Sequence, residues 1–140
     1  KITVFGDRST LPESVRDAIQ YAEGKTSDYS DFHFNVAMAY GSRQEIVAAV
    51  KDIAKKVANK ELDVEEISEE TFSRHLYTSD IPDPDLVLRT SGEVRISNFL
   101  LWQLAYSELY FTDVYWPGFR YIDLLRAIRS YQQRIRRYGE

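Results

Sequence analysis

The stretch that decides the fold is Asp85-Leu86-Val87-Leu88-Arg89-Thr90-Ser91-Gly92-Glu93-Val94-Arg95-Ile96-Ser97-Asn98-Phe99-Leu100-Leu101-Trp102. Pro82 and Pro84 force an extended approach to it. Asp85-Leu86-Val87-Leu88 then reads as a short buried strand, because a continuous apolar run bounded by turn signals suits a strand covered on both faces. Asn98 to Tyr106 holds Phe99, Leu100, Leu101, Trp102, Leu104 and Ala105, too apolar all round for a surface helix, and is predicted to be a core helix. A strand over Leu109 to Val114 is expected to follow. Strand, polar loop, crossover and strand is the pattern of a parallel sheet.

Working outward, the same alternation recurs. Ile2-Thr3-Val4-Phe5 is rich in strand formers and stops at Gly6-Asp7. Pro12 and Glu13 suit the first turn of a helix, Val15, Ala18, Ile19 and Ala22 repeat at helical spacing, and Gly24 marks its end. Phe32 to Tyr40 alternates, with Phe32, Phe34, Val36, Met38 and Tyr40 predicted to share one face of a strand. From Arg43 to about Asn59, Ile46, Val50, Ile53 and Val57 form an amphipathic stripe. Ser68 with Glu70 and Thr71 starts a short helix through His75. From Arg120 onward Leu124, Ile128, Tyr131, Ile135 and Tyr138 make a heptad-like stripe, with Arg126, Arg129, Arg134, Arg136 and Arg137 between them. The expected fold is α/β, a largely parallel open sheet with helices on both faces, in a single domain over residues 1–140.

Composition narrows the function. The 140 residues are 44% hydrophobic and 29% charged, enough apolar material for one core. With no cysteine there is no disulfide framework, thiolate zinc site or thiol nucleophile, and a reducing, cytoplasmic setting is the default expectation. No run approaches the roughly 20 apolar residues of a membrane span. A net charge of −4 argues against nucleic acid as a partner. Charge is unevenly spread: six of the ten residues from Glu61 to Glu70 are acidic, read as a solvated linker, whereas Arg120 to Glu140 carries six arginines against Asp123 and Glu140. A domain that opens directly in a strand is also expected to lack upstream sequence.

Ligands of open α/β sheets gather beyond the carboxyl ends of the strands. Three junctions qualify: Gly6-Asp7-Arg8-Ser9, Gly41-Ser42-Arg43, and Arg89 through Asn98. The last supplies two arginines and three hydroxyl residues before the predicted helix, which is equipment for an anion, and a diphosphate would satisfy all of it. A purely structural reading, in which Arg89 and Arg95 pair with Glu93 to close the loop, carries equal weight on spacing alone. Glu108, at the edge of the core, is an oxygen donor suited to magnesium, although one carboxylate is more often a cap or an ion-pair partner. His33 and His75 lack a second ligand at metal spacing and are read as structural. Trp102, Trp116 and the tyrosines are expected to pack the core. No Gly-x-x-x-x-Gly-Lys-Ser/Thr loop and no Asp-Asp-x-x-Asp cluster is present.

Read straight through, Asp85 to Asp113 closely resembles the cis-prenyltransferases, whose best-known members are the undecaprenyl diphosphate synthases. Gly6-Asp7-Arg8-Ser9, Asn35-Val36-Ala37, Tyr40-Gly41-Ser42-Arg43 and Trp116-Pro117 resemble further landmarks of that family in the same order, so the resemblance covers the whole chain. It implies an enzyme that condenses isopentenyl diphosphate with an allylic diphosphate, farnesyl or geranylgeranyl, to a polyprenyl diphosphate such as undecaprenyl diphosphate. By resemblance Arg89, Arg95, Ile96 and Ser97 would bind the diphosphate of isopentenyl diphosphate, and Glu108 would be a ligand of Mg2+. Arg137 and Gly139, in an Arg-x-Gly signature, would belong to a substrate site completed across a homodimer. Membrane association is expected only through the product.

Two departures stand out: Val94 occupies a position where many bacterial members carry histidine, and Gly41-Ser42-Arg43 replaces Gly-Gly-Arg. The family's opening third, with its phosphate loop and metal-binding aspartate, has no counterpart, so the chain alone is expected to be inactive. The alternative reading is a non-catalytic partner subunit of a heteromeric prenyltransferase; such partners lose the diphosphate and metal residues, and Arg89, Arg95, Ser97 and Glu108 are all present.

Overall fold

The computed structural model describes residues 1–134, in two compact units, 1–82 and 83–134. In the first unit, strand β1 (Ile2–Phe5) pairs in parallel with β2 (Phe34–Ala37), Val4 opposite Val36. Helix α1 (Glu13–Lys25) is the crossover between them, with Glu13 in its first turn and Lys25 in its last, each matching the helix dipole. It buries Ile19, worth about 2 kcal/mol of transfer free energy. Helix α2 (Ser42–Ala58) follows β2, and α3 (Glu69–Ser73) starts at Ser68, whose side chain accepts from the Thr71 amide at 3.1 Å.

In the second unit, β3 (Leu86–Arg89) pairs in parallel with β4 (Glu108–Phe111), so Leu86 lies opposite Glu108 and Arg89 opposite Phe111. Helix α4 (Tyr121–Gln132) follows and packs on β4. Both strand pairs are parallel and both are joined by long connections, which is the predicted α/β character.

Four expectations fail locally. Residues 98–106 form successive turns, not a helix: Ser97, Asn98 and Leu100 adopt left-handed φ values of 51°, 62° and 46°, which interrupt a helical ladder. Turn bonds remain, such as Leu104 N–H to Leu100 O at 2.9 Å. An all-apolar run signals burial but not torsion, and Leu100 and Leu104 are indeed buried. Along α2 the buried stripe is Ser42, Glu45, Ala49 and Ile53, rotated from the apolar stripe so that Val50 faces outward. In the predicted strand 32–40 only four residues pair, and Phe32 and Phe34 are exposed. Trp116 is likewise outside the core, 73% exposed and stacked on Phe119.

Candidate functional site: a guanidinium loop beside an apolar cavity

Arg89 closes β3, and its backbone carbonyl accepts from the Thr112 amide at 2.9 Å, which holds the strand end against β4. The chain then turns sharply. Ser91 N–H donates to Val114 O and Gly92 N–H to Thr112 O, both at 2.9 Å, folding the loop back along the segment after β4. Ser91 and Gly92 have φ of 71° and 72°, the left-handed region that favours glycine, and a Cβ on Gly92 would stand 3.1 Å from Asp113 Oδ1.

The loop returns so that Arg89 reaches across it. Its guanidinium Nη1 donates to the Arg95 carbonyl oxygen and to Ser97 Oγ, the latter at 3.1 Å. Arg95 pairs with Glu93 at 2.8 Å in an exposed ion pair. An ion pair with Glu93 therefore forms at Arg95, whereas Arg89 donates, among the described residues, to neutral oxygens. A guanidinium held by neutral oxygens keeps its full charge for an arriving anion. Next to Arg89 and Arg95 lies a cavity of about 230 Å³ walled by Val87, Leu88, Ile96, Phe99, Leu109 and Phe111. Ile96 thus lines the apolar side, while Ser97 stands on the polar side. Such a pocket takes a small molecule with a strongly anionic head and a short hydrocarbon body.

Glu108 does not join this cluster. It opens β4, opposite Leu86, three residues before the Phe111 that faces Arg89, and so lies about 10 Å away along the ladder. Its carboxylate is engaged by Arg134. Val94 is exposed and offers no ligating atom. Among the described residues no three His, Asp or Glu side chains come together, so on their own they do not fit a divalent cation. Arg137 and Gly139 lie outside the described residues.

The other two junctions are locked structurally. A Cβ on Gly6 would meet Met38 O at 2.0 Å, Asp7 accepts from Ser9 N at 3.0 Å, and Arg8 pairs with Glu23 at 2.6 Å. Burial raises the Glu23 pKa, but the Arg8 hydrogen bond, the Val4 amide and the Arg8 charge outweigh it and hold the carboxyl below its ordinary value. Past Gly41, the fully buried Glu45 was missed by sequence reading. It accepts from Tyr40 Oη at 2.6 Å and from the Tyr77 amide at 2.8 Å. Burial, then the charges of Asp7 and Glu45, push the Tyr77 phenol up. The sequence signal available was an acid at i+3 from Ser42 on the inner side of an amphipathic helix. His75 is structural as expected: Nδ1 sits 2.7 Å from Thr71 O and Nε2 3.0 Å from Lys56 Nζ.

Comparison with known proteins shows the family. The family described as "Putative undecaprenyl diphosphate synthase" matches residues 1–139. A tritrans,polycis-undecaprenyl-diphosphate synthase (geranylgeranyl-diphosphate specific) of Pyrococcus horikoshii is 58% identical over 139 residues, 99% of this chain and 53% of the relative. Its counterpart from Picrophilus torridus is 55% identical over 140 residues, 100% of this chain and 55% of the relative. The crystal structure of lavandulyl diphosphate synthase from Lavandula x intermedia, in complex with dimethylallyl diphosphate, superposes with a TM-score of 0.96 at 47% identity. It covers 100% of this chain and 60% of that one. The chain spans about half the length of the curated relatives it matches. With the family match running from the first residue to the last but one, the chain belongs to the undecaprenyl diphosphate synthase family of prenyltransferases.

Proposed function

We propose that the protein carrying this chain is a cis-prenyl elongating enzyme that condenses isopentenyl diphosphate with an allylic diphosphate to give a polyprenyl diphosphate, and that residues 1–140 are the carboxyl-terminal part of its single catalytic domain. The observation that carries this reading is Arg89, its guanidinium braced by Arg95 O and Ser97 Oγ at the mouth of the β3–β4 loop beside an apolar cavity. Arg89, Arg95 and Ser97 hold the diphosphate of isopentenyl diphosphate, and Ile96 covers the hydrocarbon next to it. The apolar wall excludes water around the reacting double bond, which strengthens every charge interaction there. Geranylgeranyl diphosphate is the primer favoured over farnesyl, from the names of the archaeal relatives.

Magnesium is the cofactor proposed for this reaction; when bound it would supply positive charge opposite the departing diphosphate. Glu108 contributes one oxygen to it only in company with substrate phosphate oxygens and donors outside the described residues. Arg137 and Gly139 complete the substrate site across a homodimer. The partner-subunit reading is the weaker one, since Arg89, Arg95, Ser97 and Glu108 are retained together. No helix among the described residues is long and apolar enough to cross a membrane, and a cytoplasmic enzyme meeting membranes through its product fits that.

The test is incorporation of labelled isopentenyl diphosphate by the intact protein with magnesium and each allylic primer. Polyprenyl product with geranylgeranyl diphosphate, lost in Arg89→Ala, supports the reading. An intact protein that makes no product with either primer until a second polypeptide is added would leave the partner-subunit reading standing.

A further inference from the structure

Strand β1 has the composition of an association hazard. Ile2-Thr3-Val4-Phe5 carries no charge and no proline, and an apolar strand at the edge of a sheet presents amides and carbonyls that template a further strand. Its ladder to β2 uses alternate residues: Phe34 N–H donates to Lys1 O at 2.8 Å and Met38 N–H to Phe5 O at 3.0 Å. Ile2 and Val4 therefore direct their backbone groups away from β2. On that outer side these groups meet side chains. Ile2 N–H donates to Thr26 Oγ1 at 2.9 Å and Val4 N–H to Glu23 Oε1 at 2.8 Å. Arg8, in the turn that follows β1, donates from Nη2 to the Val4 carbonyl. The three side chains are themselves tied down. Thr26, at the end of α1, gives its hydroxyl proton to Ala22 O at 2.9 Å, which leaves the lone pairs of Oγ1 for the Ile2 amide. Arg8 grips both oxygens of Glu23, at 3.0 and 2.6 Å, and so compensates a carboxylate that is only 25% exposed.

We propose that Thr26, Glu23 and Arg8 act together as a side-chain substitute for a strand: they close the outer edge of β1 and keep an extended peptide, including β1 of a second copy, from pairing there. Two features mark them as one device. Glu23 and Thr26 lie three apart, on one face of α1, and meet β1 in reversed order, Thr26 at Ile2 and Glu23 at Val4, which spans the edge along its length. The set also supplies both kinds of partner that an edge requires, oxygen acceptors for two amides and a guanidinium donor for a carbonyl. An incoming strand would have to part the charge-assisted Arg8–Glu23 fork to gain neutral backbone bonds, an unfavourable exchange. The device concerns association and stands whether or not the protein transfers prenyl groups.

The experiment uses the intact protein and compares Thr26→Val with Glu23→Met, which strips both acceptors, against Thr26→Ser with Glu23→Gln, which keeps an oxygen at each place. Amide exchange is read at Ile2 and Val4, with the Phe34 and Met38 amides reporting the β1–β2 ladder, and sedimentation is followed over a range of protein concentration. In the stripped variant Ile2 and Val4 are expected to exchange about tenfold faster, with Phe34 and Met38 within about twofold, as for loss of one hydrogen bond at each amide. That variant should also associate beyond the state of the unsubstituted protein as concentration rises. The oxygen-keeping variant should do neither. Adding Ile2→Pro to the stripped variant removes an outward donor and should reverse the added association, which places it on this edge. Unchanged exchange at Ile2 and Val4 overturns the proposal. So does faster exchange with no added association, or association that Ile2→Pro leaves intact. Should Phe34 and Met38 also speed up, the ladder itself has loosened, and Thr26→Val alone, read at Ile2 and by sedimentation, decides on the same terms.

Discussion

Arg89 and Glu45 show what a single side chain can decide in this protein, and why one was easy to foresee and the other was not. Arg89 ends a strand in front of a polar loop, so both its position and its chemistry are written locally. On the proposed function, removing it takes away a charge-assisted contact of about 1.5–3 kcal/mol to the diphosphate. Arg89→Ala is therefore expected to lower kcat/KM for isopentenyl diphosphate by about 10- to 150-fold. Arg89→Lys should recover only part of this, because an ammonium cannot bridge Arg95 O, Ser97 Oγ and a phosphate with one planar fork. Steady-state kinetics on the intact protein checks both, and wild-type KM in Arg89→Ala would remove it from the site. Glu45 carries only a faint local signal, and its Tyr77 partner lies 32 residues away. Glu45→Ala removes the carboxylate that accepts from the Tyr40 hydroxyl and the Tyr77 amide, and should lower stability by about 2 kcal/mol in denaturant unfolding. Glu45→Gln keeps an acceptor for one of them and should lose less.

Helix α4 illustrates how an element is held by its ends. The Arg120 backbone amide, then the charges of Arg120 and Arg126, keep the Asp123 carboxyl below its ordinary value of 3.8 despite the opposing effect of burial. A carboxyl whose pKa is lower folded than unfolded adds stability above its unfolded value and loses it as pH falls through the folded one. The helix start is thus expected to keep its full Asp123 contribution from neutral pH down to about pH 4 and to loosen below it, and Asp123→Asn should flatten that acid limb. Amide exchange of residues 121–126 against pH measures it; an acid limb equal in wild type and Asp123→Asn would refute the assignment.

Element by element, the sequence was most legible where period and punctuation agreed. Helices α1 and α2 and strands β1 and β3 fall within a few residues of their expected bounds. It was least legible where an apolar run carried no period. Between Ser97 and Tyr106, left-handed torsions at Ser97, Asn98 and Leu100 replace the expected helix, and hydrophobicity alone carries no information on that choice. The stripe on α2 was misplaced for the opposite reason. Its apolar period was real, but Glu45, which accepts from nearby Tyr40 and distant Tyr77, takes an inner position that a count of apolar residues assigns to Ile46 or Val50. The loop from Arg89 to Ser97 folds at the end of β3, where the sequence places it, while the position of Glu108 at the first residue of β4 depends on strand register, which no local pattern specifies.

For the molecule as a whole, binding and turnover should separate. The chain is net negative at −4, so its long-range field does not draw in a diphosphate, and under the proposed function affinity comes from the short-range guanidinium cluster. That cluster lies within residues 83–134, where strand pairing and the loop bonds of Ser91 and Gly92 build it from this chain alone. Cation binding is different, because the described residues bring no three ligating side chains together. The 140-residue polypeptide, prepared by itself, is expected to bind isopentenyl diphosphate weakly in calorimetric titration, with binding reduced about tenfold or more in Arg89→Ala. It is expected to yield no polyprenyl product when geranylgeranyl diphosphate and magnesium are added, whereas the intact protein does. Product from the 140-residue polypeptide would mean that it carries a complete cation site after all, with Glu108 at its centre. Absence of binding would place the diphosphate elsewhere, and the loop from Arg89 to Ser97 would then be a structural closure of the β3–β4 ladder.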